Sequence, residues 1–311
     1  MRILMVGAGA TGGYFGGRLA AAGRDVTFLV RLRRAEQLSR HGLVIRSPQG
    51  DVTVAQPKIV FSEQISAPYD LVILSCKAYD LDSAIASFAP AVGPGTIILP
   101  FLNGMKHLDV LDARFGPRRV FGGQCVIAST LNDDGTIVHL NNFHSVTFGD
   151  RDNGASERAQ AVSRALSGAG FDARLSEQIL QEMWEKWVFL STLAASTCMM
   201  RAAVGDIVAS PFGKETILAL LAECGAIAGA NGHAPRESTL DGARNNLTMP
   251  GSTLTASMLR DIERSAPIEA DHIIGDLLAR RSGPAPANSV LALAYTHMKA
   301  YEARRAHSSG R

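Results

Sequence analysis

Apolar positions follow two rhythms along this chain of 311 residues. Up to about residue 175 they gather in short runs separated by glycine, asparagine and aspartate; beyond it they recur at helical spacing. Residues 3–6, 25–30, 69–76 and 96–100 read as strands, and the run YDLVILSC over 69–76 has the unbroken apolarity of a parallel strand buried on both faces. Residues 33–40 read as a short helix, and 43–46 with 51–55 alternate around Ser47, Pro48, Gln49 and Gly50 as a hairpin would. Strand-like stretches over 120–130, 136–140 and 145–148 are broken by Asp133-Asp134-Gly135 and by Asn141-Asn142. A helix over 155–169 and a strand near 171–174 complete this half. From Glu177 onward the pattern predicts helices over 177–195, 211–231, 236–247, 253–264, 268–280 and 287–303, punctuated by Asn231-Gly232-His233, Met249-Pro250-Gly251 and Ser282-Gly283-Pro284. Residues 307–311 read as a frayed tail. The change of rhythm divides the chain into an α/β domain over 1–175 and an all-helical domain over 176–311.

Composition narrows the function. With 46% hydrophobic and 19% charged residues and a net charge of +2, the chain is that of an ordinary globular protein. No basic block interleaves with aromatics, so neither nucleic acid nor an acidic membrane surface is the expected partner. The longest small and apolar run, 217–230, contains Glu223 and is too short to span a bilayer. Residues 3–6 already read as a strand, so no secretory leader is expected. Cys76, Cys125, Cys198 and Cys224 are scattered, without a C-x-x-C or a nearby histidine pair. A reducing cytoplasm, no disulfide and no metal site are therefore expected.

The first strand runs into a glycine-rich turn and then a helix, with Gly7, Gly9 and Gly12 at G-x-G-x-x-G spacing. Gly7 permits the turn, Gly9 lets the backbone approach a pyrophosphate, and Gly12 lets the helix close on the sheet. Ala8, Ala10 and Thr11 complete the loop, whose free amides would face the phosphates. A doubly wound dinucleotide-binding domain is the expected fold. An NAD site would carry Asp or Glu at the end of the second strand, about twenty residues past the motif, to accept from the ribose hydroxyls. Here that position holds Val30, Arg31, Leu32, Arg33 and Arg34, with no acid between Asp25 and Glu36. Arginine suits a 2′-phosphate, so NADP is the expected cofactor.

Four further residues are candidates. Lys77 stands at the carboxyl end of the strand over 69–76, where open parallel sheets bind ligands, though a solvated loop lysine is the plainer reading. Asn103 follows the next strand and can both donate and accept, as a nicotinamide amide or keto acid requires; the alternative is an N-cap. Lys186 lies among Met183, Trp184, Trp187, Val188, Phe189 and Leu190. It either snorkels to water or sits where desolvation tunes it as a general acid. Glu269 opens a helix, where a carboxylate is ordinarily a dipole partner.

Taken in order, the G-x-G-A-x-G loop, Arg31, C-K-A-Y around Lys77, N-G-M at Asn103, W-E-K at Lys186, S-M-L-R-D-I at Ser257 and I-E-A-D-H-I-I-G at Glu269 resemble the ketopantoate reductases (2-dehydropantoate 2-reductases). These belong to the two-domain reductases related to 6-phosphogluconate dehydrogenase. The resemblance covers nearly the whole chain. It implies that Lys186 protonates the reducing carbonyl and that Glu269 orients lysine, substrate or cofactor. It also implies that Ser257 holds the substrate carboxylate and that Lys77 and Asn103 line the nicotinamide, Asn103 also facing the substrate. The implied site lies in the cleft between the two domains. The implied reaction is NADPH-dependent reduction of a 2-oxo acid to a 2-hydroxy acid, foremost 2-dehydropantoate to pantoate in pantothenate biosynthesis. Alternatives are a less polar 2-oxo acid or an imine on the same fold, or an NADPH-binding sensor without turnover. The partner is a small molecule, and a homodimer is an open alternative to a monomer. The sequence departs from the family where members carry substrate-binding asparagines: Leu190, Ala194, Val204 and Leu254 stand there instead. Leu190 and Ala194 follow Lys186 at one-turn intervals, on its own helix face. Ser191, Thr197 or water would have to replace the lost amides.

Overall fold

The computed structural model describes residues 1–152 and 155–309. It separates into two compact units, Met1–Leu102 with His107–Leu180, and Asn103–Lys106 with Gln181–Arg311.

The first unit contains β1 (Arg2–Val6), α1 (Ala10–Ala21), β2 (Asp25–Leu29), α2 (Leu32–His41), β3 (Leu43–Arg46), β4 (Val52–Val54), β5 (Lys58–Val60), β6 (Leu71–Leu74), α3 (Leu81–Phe88), β7 (Ile97–Pro100), α4 (Lys106–Phe115), β8 (Gly122–Leu131), β9 (Ile137–Gly149), α5 (Glu157–Leu166) and β10 (Asp172–Leu175). Its main sheet is parallel, in the order β5-β2-β1-β6-β7, which is the expected Rossmann-like arrangement. The strand order reverses at β1, so the topological switch lies between β1 and β6, beyond whose carboxyl ends such sheets bind ligands. β1, β6 and β7 are almost wholly buried, which explains their unbroken apolar runs.

A second sheet orders β10-β9-β3-β4, with β8 paired to β9. The hairpin at 47–50 forms between β3 and β4 as the alternation predicts. β9 continues through the expected break at Asn141-Asn142, but its ladder with β8 is interrupted there: Ile127 pairs with His144 and Ser129 with His139, so 140–143 stand opposite Ala128 alone. The register with β8 slips between Ile127 and Ser129, and the Asn141 side chain accepts from the Ala128 amide at 3.3 Å. Asn141 thus mends a bulge rather than making a turn.

Helix α1 lies between the two sheets, and consecutive glycines let it fit. A Cβ on Gly16 would stand 2.6 Å from the Phe28 ring of the main sheet, while one on Gly17 would stand 2.5 Å from Leu43 of the second. Any larger side chain would force the layers apart.

The second unit contains most of α6 (Ile179–Met200), then α7 (Val204–Ala209), α8 (Gly213–Ala230), α9 (Glu237–Leu247), α10 (Ser257–Glu263), α11 (Asp276–Ala279) and α12 (Val290–Ser309). The expected all-helical half is present, with four differences from the sequence reading. α7 is additional. Residues 253–256 are not helical, because this stretch pairs by backbone with the start of α7: Leu254 O accepts from Val204 N at 3.0 Å and Ser252 O from Gly205 N at 2.8 Å. Residues Asp271–Gly275 form a turn of π-helix ahead of α11. Finally, α12 continues to Ser309, so 307–309 are helical rather than frayed; 310 and 311 lie outside the described residues. Four buried hydroxyls on α6 stay satisfied within the protein. Thr192, Ser196 and Thr197 donate to backbone carbonyls a turn earlier, and Ser191 donates to Ile273 O.

Candidate active site

At the switch of the main sheet, β1 ends at Val6 and Gly7 turns the chain with φ of +92°. A Cβ on Gly7 would stand 3.0 Å from Ser75 O at the end of β6, and one on Gly12 would stand 2.4 Å from Gly7 O. Gly9 behaves differently. Apart from its own local backbone and chain neighbours, no described atom lies within 4 Å of where its Cβ would be, and as N-cap of α1 it supplies no side-chain acceptor. The first turn of α1 carries no acid. Ala8, Ala10, Thr11 and the amides around them therefore form a cradle suited to an anion, its closeness set by Gly7 and Gly12 and its open face by Gly9.

Arg31 caps the start of α2, at the end of β2. Its guanidinium is 75% exposed and donates to Asp80 Oδ1 at 2.9 Å and Ser83 Oγ at 3.1 Å. Arg34 turns inward. Its Nε donates to Ala8 O at 2.8 Å and Nη1 to Gly135 O at 2.9 Å, bracing the glycine loop from behind; burial lowers its pKa. Lys77 opens the short turn after β6, and its carbonyl accepts from Asp80 N at 2.9 Å. The structure thus joins Arg31 to the Lys77 turn through Asp80, a residue that the sequence reading did not single out. Its only local signal is its place three residues after Lys77.

In the second unit, Lys186 Nζ donates to Asn103 Oδ1 at 3.1 Å. Asn103 reaches that position because Gly104 adopts φ of +78°. The turn packs against the π-helical segment: a Cβ on Gly104 would stand 3.0 Å from His272 O and 3.1 Å from His272 Cδ2. A side-chain nitrogen of His272 also hydrogen-bonds the Asn103 backbone. Burial pulls the His272 pKa down, while Glu269 and Asp276 push it up and Lys106 pulls it down further. Glu269 precedes the same segment, and its carbonyl accepts from His272 N and Ile273 N. The π turn leaves Ile273 O to Trp187 Nε1 at 2.9 Å and Ser191 Oγ at 3.3 Å, which ties it to the helix bearing Lys186. Ser257 stands apart from these residues in sequence, as the first residue of α10, and is exposed. His272 and the π turn were missed from the sequence; no periodicity marks either.

Leu190 is half-buried, and Ala194 and Val204 are buried. The hydroxyls that could have replaced the family's amides are already engaged: Ser191 with Ile273 O, and Thr197 both donating to Leu193 O at 2.6 Å and accepting from Ala256 N at 3.3 Å. No helix among the described residues is long and apolar enough to cross a membrane.

Known proteins share this arrangement. The family model described as ketopantoate reductase PanE/ApbA matches residues 3–153, and that of its C-terminal domain matches 178–299. The chain is 35% identical over 305 residues to the uncharacterized oxidoreductase YkpB of Bacillus subtilis, covering 98% of this chain and all of that one. It is 27% identical to the 2-dehydropantoate 2-reductase of Halobacterium salinarum, covering 90% of this chain and 92% of the relative. Among solved structures, 2-dehydropantoate 2-reductase from Geobacter metallireducens superposes with a TM-score of 0.87 at 28% identity, covering 96% and 99% of the two chains. D-mandelate dehydrogenase, solved with NADH and anilino(oxo)acetate, shares the fold at 20% identity and a TM-score of 0.87, over 98% of this chain and 99% of that one. With both family domains matched in order and the glycine cradle and the Lys186–Asn103 pair built on the fold they imply, the chain belongs to the ketopantoate reductase family of oxidoreductases.

Proposed function

We propose that this protein reduces a 2-oxo acid to a 2-hydroxy acid with NADPH. The observation that carries the reading is the Lys186 ammonium hydrogen-bonded to Asn103 Oδ1, on a helix where Met183, Trp184, Trp187 and Val188 are buried around it. The residues present fit a dinucleotide: the open face at Gly9 admits a pyrophosphate, the amides of residues 8–12 would hold it, and Arg31 would meet a 2′-phosphate. Lys77 and Asn103 would line the nicotinamide. When bound, the cofactor supplies the hydride; the proton is the protein's part. Asn103 fixes one N–H direction of Lys186, and an ammonium carries three donors, one of which would meet the substrate carbonyl oxygen. Lys186 would polarise that oxygen and protonate it as negative charge develops, and Glu269 would orient the lysine. Ser257 would hold the substrate carboxylate.

Family membership makes 2-dehydropantoate the first substrate to consider. A second reading has a specific observation behind it. Ser191 and Thr197 are engaged with the backbone, and Leu190, Ala194 and Val204 offer no polar group. This supports a 2-oxo acid whose remaining part is aliphatic.

The test follows NADPH absorbance over a panel of 2-oxo acids, with Lys186→Ala alongside. General acid catalysis contributes about 10²- to 10⁴-fold. Lys186→Ala should lose that factor in turnover and keep its affinity for NADPH. Nucleotide binding with no oxidation by any acid of the panel would replace the reductase by a sensor. Turnover undiminished in Lys186→Ala, with chemistry rate-limiting, would assign the proton to another group.

A further inference from the structure

From β2 into α2 no acid stands between Asp25 and Glu36. The fold brings one from elsewhere. Asp80, in the turn after β6, places Oδ1 2.9 Å from Arg31 Nη2. Asp80 belongs to a built feature: its amide is held by Lys77 O at 2.9 Å and its carbonyl accepts from Ser83 Oγ at 3.0 Å, while the same hydroxyl accepts from Arg31. Both charged groups face water, Arg31 being 75% and Asp80 37% exposed, so the pair is weak enough to be broken by a ligand.

Any phosphate that Arg31 grips therefore arrives within a few ångströms of a carboxylate. A 2′-phosphate carries close to two negative charges, and a like charge about 4–6 Å away at a water-exposed position shifts an equilibrium constant about 3- to 20-fold. A ribose with a free 2′-hydroxyl meets the opposite situation. The carboxylate accepts from it, as the acid at the end of β2 does in NAD enzymes. Specificity is the difference between two affinities, and here the two determinants oppose each other.

We propose that Asp80 is the second determinant of cofactor choice, a carboxylate that accepts from the adenosine ribose of NADH and repels the 2′-phosphate of NADPH. It thereby offsets part of the NADPH preference that Arg31 supplies. This rests on the reading that Arg31 meets the 2′-position. Arg31 and Asp80 together make a site that uses both cofactors, with the balance set by the carboxylate.

The experiment is a set of calorimetric titrations of NADPH, NADH, 2′,5′-ADP and 5′-AMP into the wild type, Asp80→Asn and Arg31→Ala. Asp80→Asn keeps the size and the hydrogen-bonding reach of the side chain. It should tighten NADPH and 2′,5′-ADP about 3- to 20-fold and weaken NADH several-fold, and the gain for NADPH should shrink at high salt. Weaker NADPH binding in Asp80→Asn would mean that the carboxylate only orients Arg31, and would overturn the proposal. An unchanged NADPH-to-NADH ratio would overturn it as well. The underlying cofactor reading fails by a different result: wild type that binds neither dinucleotide, or Arg31→Ala with full NADPH affinity.

Discussion

Alanine at Gly9 and at Gly12 should separate ligand binding from folding, although the two glycines lie in one turn. At Gly9 the backbone is at φ −76° and ψ −161°, open to any residue, and no described atom beyond the local backbone and chain neighbours lies within 4 Å of the new Cβ. Gly9→Ala should therefore change stability by no more than about 0.5 kcal/mol. Its methyl would stand on the open face of the cradle and hold a pyrophosphate away from the amides. Each charged hydrogen bond lost contributes about 1.5–3 kcal/mol, so NADPH affinity should fall about 10- to 100-fold. At Gly12 the new Cβ would stand 2.4 Å from Gly7 O, a backbone atom that cannot rotate away. The main chain must move by several tenths of an ångström, and overpacking of this kind costs about 1–3 kcal/mol. Thermal unfolding and calorimetric titration of both variants check this. Gly9→Ala with undiminished NADPH affinity, or Gly12→Ala as stable as the wild type, would refute the division of labour.

Three further outcomes are expected. An apolar pocket wall leaves a substrate hydroxyl unpaired at about 1–3 kcal/mol. A branched aliphatic 2-oxo acid such as 3-methyl-2-oxobutanoate should therefore match or exceed 2-dehydropantoate in kcat/KM, and Leu190→Asn should shift preference back. Preference of the wild type for 2-dehydropantoate by two orders of magnitude would refute the argument. Burial depresses His144, His233, His272 and His297 below their ordinary value of 6.5, so the unfolded chain takes up protons first as pH falls. Stability should be insensitive to these groups above about pH 6.5 and decline below it, and an unchanged Tm between pH 7.5 and 5.5 would contradict that. Glu185 is buried and accepts from Arg236 N at 2.9 Å and Nε at 2.7 Å; burial raises its pKa, and the bonds from Arg236 more than offset this. Arg236→Ala removes the guanidinium donors and leaves the buried carboxylate only the residue-236 amide and Gln181 Nε2, which should cost about 1–3 kcal/mol in denaturant unfolding, whereas Glu185→Gln should cost less.

What the sequence disclosed was what neighbours along the chain decide. The apolar runs gave β1, β6 and β7 because strands buried on both faces need unbroken apolarity. The glycine spacing located a turn whose tightest approach, Gly12 to Gly7 O, is local, although Gly7 also abuts Ser75 O at the end of β6. The features it hid depend on partners far along the chain. Asp80 reaches Arg31 from 49 positions away, so a rule that inspects only the end of β2 cannot see it. Residues 253–256 have helical periodicity but pair with the start of α7, and tertiary hydrogen bonds override the local preference. Asn141 has turn chemistry and lies in a bulge of β9, where its side chain accepts from the Ala128 amide of the facing strand. Of the candidate site, Lys186 and Asn103 were each singled out, but their hydrogen bond spans 83 positions and leaves no local pattern.

Asn103–Lys106 are made with the first unit and belong to the second. On the ribosome, Lys186 follows Asn103 by 83 residues, which at about 5–20 residues per second is a wait of about 4–17 s. The first unit can close its main sheet in that interval, since β7 precedes the excursion and α4 follows it. The four residues themselves have nothing to join until α6 emerges. A fragment ending at residue 180 would carry them permanently unmatched, and a fragment beginning at 181 would lack the turn against which the 269–275 segment packs. The chain is therefore a poor subject for expression as two separate domains, and a better one for a circular permutation that keeps residues 103–106 covalently tied to β7.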